Sequence, residues 1–306
     1  MFPDKSARMR KEMNTNADYR YLLVTPVKNE ETFIRDLIIS MKTQSLRPVL
    51  WVIVDDGSTD KTPELIDTEA GETDWVKTIR LPLGERKRGQ HYAHVCKCGF
   101  DYSIAKVNDW DFIGLVDADM VLESEYFEKL VSEFHQDEKL GIASGGLYYQ
   151  GKLEKRRLDH AIGGCRLFRR KCFMDIGGYK VYSSEYASAD SIANTKAKIK
   201  GWKLRHFPQI MALHQRANQG VEGAWRSGFH EANVMYYFDY EPLLIVGAFI
   251  SLLSKRPHYH AIAFVSGYLK NIILRKEHIP DEEIRRFFRK EKWQEIRQNI
   301  KIYVGD

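Results

Sequence analysis

The chain has 306 residues, 43% hydrophobic and 29% charged, which is long enough for a full core and ordinary for a globular protein. Its formal charge of +5 is unevenly spread: from Ser254 onward there are 12 Lys/Arg against 7 Asp/Glu, so the remainder is balanced. That balance argues against a nucleic-acid-binding protein, whose basic surface would not be confined to one end, and four cysteines are few enough to read as free thiols in a reducing compartment.

Residues 1–18 have no apolar run of the signal-peptide kind and are expected to be a flexible tail. "YLLVTPV" then reads as a strand and "EETFIRDLIISMKTQ" as a helix. "PVLWVIVDD" follows as a strand, "KTPELIDTEA" as a helix, "VKTIRLPL" as a strand, "QHYAHVCKCGFDYSIAKV" as a helix and "DFIGLVDAD" as a strand. This alternation predicts an α/β fold with right-handed crossovers and a mostly parallel sheet flanked by helices. Cys96 and Cys98 lie two apart in the helical segment, a spacing that does not suit zinc.

Past "GIASGGLYYQG" the pattern loosens into a basic loop, "KLEKRRLDHAIGGCRLFRRKC", whose glycine pairs suggest close packing and whose "RLFRRK" reads as a solvated basic face or a contact for an anionic acceptor. A helix over "SADSIANTKAKIKG" and two short strands, "WKLRHF" and "IMALH", come next. From about Val221 the chain reads as helical, with Pro280 and the acids after it as a helix start. The domain expectation is therefore a catalytic domain over 19–220 and a helical C-terminal extension over 221–306. No apolar run is long enough to span a bilayer, but the tail mixes Lys and Arg with apolar helices. Aromatics such as Tyr259, Tyr268, Phe287, Phe288 and Trp293 suit lipid headgroups; a subdomain packed on the rest of the chain or on a second copy is the alternative. The expected location is the cytoplasm, with peripheral contact at the inner face of the membrane as the further possibility.

Three of the strands finish on polar residues: "TPVKNE", "DDGSTD" and "DADM". In parallel α/β sheets ligands bind beyond the carboxyl ends of the strands. Asp117 and Asp119 would repel each other there unless a cation joins them, and Mg2+ or Mn2+ held in this way typically bridges to substrate phosphates. A turn with solvated acids is the plainer account of any one such motif.

Taken in order, and with "IGGY", "ADSIANTKAKIKGW" and the His of "MALHQR", these motifs resemble the inverting family 2 glycosyltransferases of GT-A fold, over roughly Tyr21 to Arg216. The resemblance implies a Rossmann-like GT-A domain that moves a sugar from a nucleotide sugar, with UDP the expected nucleotide, to a hydroxyl of a glycan or lipid-linked glycan. It implies that Thr25 and Pro26 line the nucleotide pocket, that Glu30 and Asp56 reach the base or ribose, and that Asp117 faces the ribose or the metal. Asp119 would be a metal ligand, with His214 as another. Arg88 or His91 would contact the nucleotide, and Arg216 the diphosphate. Asp190 falls at the position of the catalytic base, although Ala189 and Ile192 stand where the family has acids. Its plainer reading is a first-turn helix acid. A polyprenyl-phosphate sugar synthase, whose acceptor needs no base, and a nucleotidyltransferase of related fold are the competing enzymes.

Overall fold

The computed structural model describes residues 19–82, 90–154, 157–182, 186, 188–216, 223–254 and 256–291. The expected tail over 1–18, Arg88 and Trp293 lie outside the described residues. The chain divides into two compact units, one of residues up to Val181 plus Lys200–Ala217, the other of Tyr182–Ile199 plus everything from Asn218.

The first unit opens with β1 (Tyr21–Val27), α1 (Ile34–Lys42), β2 (Leu50–Asp55), α2 (Thr62–Ala70), β3 (Val76–Arg80), α3 (Gln90–Lys106) and β4 (Phe112–Val116). β5 (Met120–Leu122), α4 (Tyr126–Gln136), β6 (Leu140–Tyr149), β7 (Lys152–Leu153), β8 (Cys165–Arg169) and α5 (Arg170–Asp175) follow, and β9 (Lys203–His214) completes it. Among the described residues the sheet runs β3-β2-β1-β4-β8-β6-β9-β5, with β7 paired to β6. β1 to β4 are parallel, as the alternation of strands and helices requires. The antiparallel β8 inserts between β4 and β6, and the fold class is the expected mixed α/β sheet with helices on both faces.

Both faces of β1 are covered, so its whole length is apolar rather than alternating. Tyr21, Leu23 and Val27 join Ile34, Leu37 and Met41 of α1 and Phe127, Leu130 and Val131 of α4 in the main core. The opposite face receives α3, and a Cβ on Gly99 would lie 2.5 Å from Val24 Cγ1 and 2.9 Å from Val54 Cγ2. Only glycine lets that helix settle so closely on the strands that carry the crevice.

Two expectations need correction. "WKLRHF" and "IMALH" are one strand, β9, that steps out of register with β6: Gly145 pairs with Phe207 but Gly146 pairs with Met211. The step lets one strand run parallel to β6 along its length and finish antiparallel to β5. "RLFRRK" is not a wholly solvated loop but β8 and the start of α5: Arg170 and Lys171 are exposed, while Arg166 and Arg169 turn into the fold. Arg166 is fully buried, its guanidinium donating to the carbonyls of Ala161, Ile162 and Gly163. Arg169 donates to Phe134, Asp137 and Leu140 carbonyls, and Arg170 to that of Trp110. Arg166 thus satisfies loop carbonyls, and Arg169 carbonyls at the end of α4 and the start of β6.

The second unit holds α6 (Ala189–Ile199), α7 (Ala224–Tyr237), α8 (Pro242–Leu253), α9 (Tyr259–Ile273) and α10 (Glu282–Arg286), which runs into a π turn, Phe287–Glu291. Asp281 caps α10, its carboxylate accepting from the Ile284 amide, and also pairs with Lys196 of α6 at 2.7 Å. Phe287 and Phe288 pack with Ile192, Phe238 and Ile279. They are core residues, not the headgroup-level aromatics that composition suggested.

Candidate functional site

The strand ends of the first unit are tied to one another before any ligand is considered. After β1 the chain turns through Asn29, whose φ of 52° is a left-handed conformation that asparagine tolerates. The Asn29 amide donates to Ser58 Oγ, the Glu30 amide to Thr62 Oγ1 and the Glu31 amide to Asp60. In return Asn29 Oδ1 accepts from the Thr59 amide and Glu31 from the Lys61 amide. The loops after β1 and β2 are thereby clamped edge to edge, which fixes Glu30 and Asp56.

One cluster forms around Asp119, a residue only 3% exposed. Pairing of β5 with β9 sets Met120 opposite His214. His214 Nε2 then lies 3.0 Å from Asp119 Oδ2, and Arg216 Nε 2.5 Å from the same oxygen. Arg216 Nη2 reaches Glu30 Oε1 at 2.7 Å, and its guanidinium stacks on the Phe33 ring. One arginine thus bridges carboxylates from the ends of β1 and β4.

Burial pushes the Asp119 carboxyl up, but the bond with His214 and the Arg216 and His214 charges outweigh it and hold the group below its usual range. The bond to Asp119 raises His214 above an ordinary imidazole. Burial keeps Glu30 above the usual carboxylate value even against its bond with Arg216.

A second group surrounds Asp56, which is 5% exposed. His91 Nε2, at the start of α3, is 2.6 Å from Asp56 Oδ1, and Lys28 Nζ is 2.7 Å from its carbonyl and 3.3 Å from Oδ2. Asp117 accepts from the Tyr92 hydroxyl at 2.7 Å, and its amide donates to the Gly164 carbonyl. A Cβ at 164 would collide with the Asp117 carboxylate, so the glycine pair of the "IGGC" stretch makes room for an acid of the crevice. Thr25 and Pro26 are buried in β1, and the Thr25 hydroxyl accepts from the Trp51 indole at 2.9 Å, so Thr25 supports the strand end from below.

Glu30, Asp119, His214 and Arg216 therefore come together, Asp56 joins His91, and Asp117 joins Tyr92, all in the first unit. Asp190 lies in the first turn of α6, in the second unit. Sequence reasoning passed over Lys28 and Tyr92; Lys28 stands inside the motif "TPVKNE", and a lysine directly after a buried strand was the available signal.

A divalent cation suits this donor set. Ligands about 2.1 Å from a metal on adjacent octahedral corners stand about 3.0 Å apart, the separation of His214 Nε2 and Asp119 Oδ2. Glu30 Oε2 and His214 Nδ1 are buried with no hydrogen-bond partner among the described residues, so the pocket holds unspent polar capacity. Carboxylate with imidazole fits Mn2+ or Mg2+, with Mn2+ favoured by the nitrogen. Among the described residues no three His, Cys, Asp or Glu side chains are already grouped to hold a metal. A cation bound by Asp119 and His214 would take its other ligands from substrate phosphates and water, the usual mode for such ions.

The profile of glycosyl transferase family 2 matches residues 22–175. An uncharacterized glycosyltransferase, EpsJ of Bacillus subtilis (strain 168), is 26% identical over 128 residues, which span 42% of this chain but only 34% of EpsJ. TarS 1-349 of S. aureus, solved in complex with UDP-GlcNAc, superposes with a TM-score of 0.53 at 12% identity, covering 84% of this chain and 73% of that one. The mannosyltransferase PcManGT from Pyrobaculum calidifontis, solved with GDP-Man and Mn2+, gives 0.54 at 15% identity, covering 89% and 94%. At these identities the solved structures speak to the fold.

Proposed function

The chain belongs to glycosyl transferase family 2, and from that premise we propose an inverting, cation-dependent transfer of a sugar from a nucleotide sugar, with UDP as the nucleotide, to a hydroxyl of a glycan or lipid-linked glycan. The observation that carries the reading is the convergence of His214 and Arg216 on one Asp119 oxygen, with Arg216 extended to Glu30, at the strand ends. Such a cluster meets the chief demand of the reaction, which is to neutralise a diphosphate as it departs. The donors bound by TarS and PcManGT support a nucleotide sugar here, and the Mn2+ of PcManGT supports the cation.

In this reading Asp119 and His214 would hold Mn2+ or Mg2+, which would supply Lewis-acid stabilisation of the leaving diphosphate. Arg216 donates to the diphosphate as a planar fork once it leaves the two carboxylates. Glu30 and Asp56 receive the base and ribose, and Asp117, held by Tyr92, faces the ribose. His91 and Lys28 hold the Asp56 carboxylate in its orientation, which is how His91 acts on the nucleotide.

The acceptor hydroxyl attacks the anomeric carbon from the side opposite the diphosphate. The new carbon–oxygen bond forms as the bond to the diphosphate breaks, the nucleoside diphosphate leaves with that electron pair, and the hydroxyl proton passes to the Asp190 carboxylate as general base. A base at this position favours a sugar hydroxyl over a polyprenyl phosphate, whose oxygen is already ionised.

Calorimetric titration of UDP and GDP, each with and without Mn2+, tests the donor half directly. UDP should bind in a Mn2+-dependent way, and Asp119→Ala should lose the Mn2+ dependence. Binding of UDP to Asp119→Ala that still tightens with Mn2+ would remove Asp119 as the ligand.

A further inference from the structure

Between Glu241 and Glu277 the chain carries five Lys/Arg and no Asp or Glu. This stretch forms α8 and α9, which share a small core with α7 built on Ala232, Leu252, Ala261 and Phe264. A helix that has buried one apolar face normally shows water a polar one. These two do not. The outward stripe of α8 is Leu243, Val246, Ile250 and Leu253, spaced three and four apart, with Leu243 62% and Ile250 60% exposed. α8 has no charged residue on any side. The outward stripe of α9 repeats the pattern in Ile262, Leu269 and Ile273, the last 77% exposed.

Helices apolar all round are stable only when their second face is also covered. α8 has 12 residues and α9 has 15, lengths of about 18 and 22 Å at the usual rise, well short of a bilayer core. Among the described residues no helix is long and apolar enough to cross a membrane. The charges choose between the remaining occupants. Arg256 precedes α9, Lys270 is exposed on it, and Arg275 and Lys276 follow it, all exposed. A second copy docked face to face would set these cations against their own equivalents, because a two-fold interface pairs a patch with itself. An anionic lipid surface meets both needs at once: acyl chains for the stripe, headgroups for the cations.

We infer that α8 and α9 form a monotopic docking face that lies in the plane of an anionic membrane surface, with Leu243, Ile250, Ile262 and Ile273 inserted and Lys270, Arg275 and Lys276 at the headgroups. The inference rests on the second unit alone and is independent of the donor chemistry.

Flotation of the full chain with vesicles of phosphatidylcholine, with and without phosphatidylglycerol, tests it. The chain should float with the phosphatidylglycerol vesicles, less so as salt rises, and hardly at all with phosphatidylcholine alone. A basic side chain at an anionic surface is worth roughly fivefold in partitioning, so Lys270→Gln with Arg275→Gln should lower it about 25-fold. Ile250→Glu with Ile273→Glu should abolish it. All four side chains are exposed, so circular-dichroism melting should match the parent for both variants. Failure of the parent chain to float, or equal flotation of both variants, overturns the inference. A dimer in light scattering that Ile250→Glu with Ile273→Glu dissociates, in a chain that does not float, would assign the face to a second copy instead.

Discussion

In the proposed site Arg216 and a cation would compete for the same oxygen, and that competition can be weighed. Arg216 Nε is 2.5 Å from Asp119 Oδ2 and Nη2 is 2.7 Å from Glu30 Oε1. Hydrogen bonds to charged groups contribute about 1.5–3 kcal/mol. The Arg216 side chain is 42% exposed, and solvent screening brings the pair down to about 1–2 kcal/mol. Since about 1.4 kcal/mol is tenfold in affinity, Arg216→Gln should tighten Mn2+ binding roughly 5- to 30-fold when no nucleotide is present. Arg216→Lys keeps the charge but loses the fork, and should stay near the parent value. Free Mn2+ followed by electron paramagnetic resonance during titration gives the constant directly. With Mn2+ saturating, the same Arg216→Gln should bind UDP more weakly, because the guanidinium that leaves Asp119 is the one proposed to meet the diphosphate. Weaker or unchanged Mn2+ affinity in Arg216→Gln would refute the competition, whatever happens to UDP.

Asp190→Asn should leave UDP affinity unaltered while sugar transfer falls by about 10²-fold or more; turnover close to the parent's would exclude it as the base. Gly164→Ala should push the Asp117 carboxylate off its place and weaken UDP binding about tenfold with little change in melting temperature, and unchanged affinity would show that Asp117 does not touch the nucleotide. In the second unit, burial raises the Asp281 carboxyl but the bonds with Lys196 and Tyr182 outweigh it, and Asp239 is likewise held low by Arg285 and Arg289. Depressed carboxyls contribute stability that is present above the ordinary carboxylate pKa and lost as pH falls through the folded value. Melting should therefore drop steeply below about pH 4. Asp281→Asn should flatten that acid limb at the expense of stability near neutrality, where Lys196 loses its buried partner. An acid limb of the same slope in Asp281→Asn would assign the loss to other groups.

The parallel half of the sheet and its polar strand ends could be read from sequence because β1, β2 and β4 are buried on both faces and so leave uninterrupted apolar runs with sharp ends, while the edge strand β3 is largely exposed. Glu30, Asp56, Asp117 and Asp119 follow from that. β8 was hidden because Arg166 and Arg169 look like solvent-facing charge, and nothing in composition reveals that carbonyls gather around their guanidinium groups. The meeting of His214 with Asp119 was legible only through family likeness, since 95 positions separate them and their approach depends on the pairing of β5 with β9. Tyr92 and Gly164 gave no local signal at all: one is a helix residue beside a histidine, the other half of an ordinary glycine pair.

The step in β9 gives this site an unusual dependence on chain length. Ile210 and Ala212 are buried and His214 half-buried, on one side of the strand, while Met211 and Leu213 are exposed on the other. Alternation has a period of two, so the surplus residues at the step act as a phase setting for everything downstream. If one residue were lost there and the strand slipped by one on β6, so that Ala212 took the place of Met211 opposite Gly146, Leu213 would turn inward and His214 outward, and the imidazole would leave the pocket with His214 itself unchanged. A deletion or insertion at Pro208–Ile210 that shifts the register would thus imitate the loss of His214, the proposed metal ligand, several residues away.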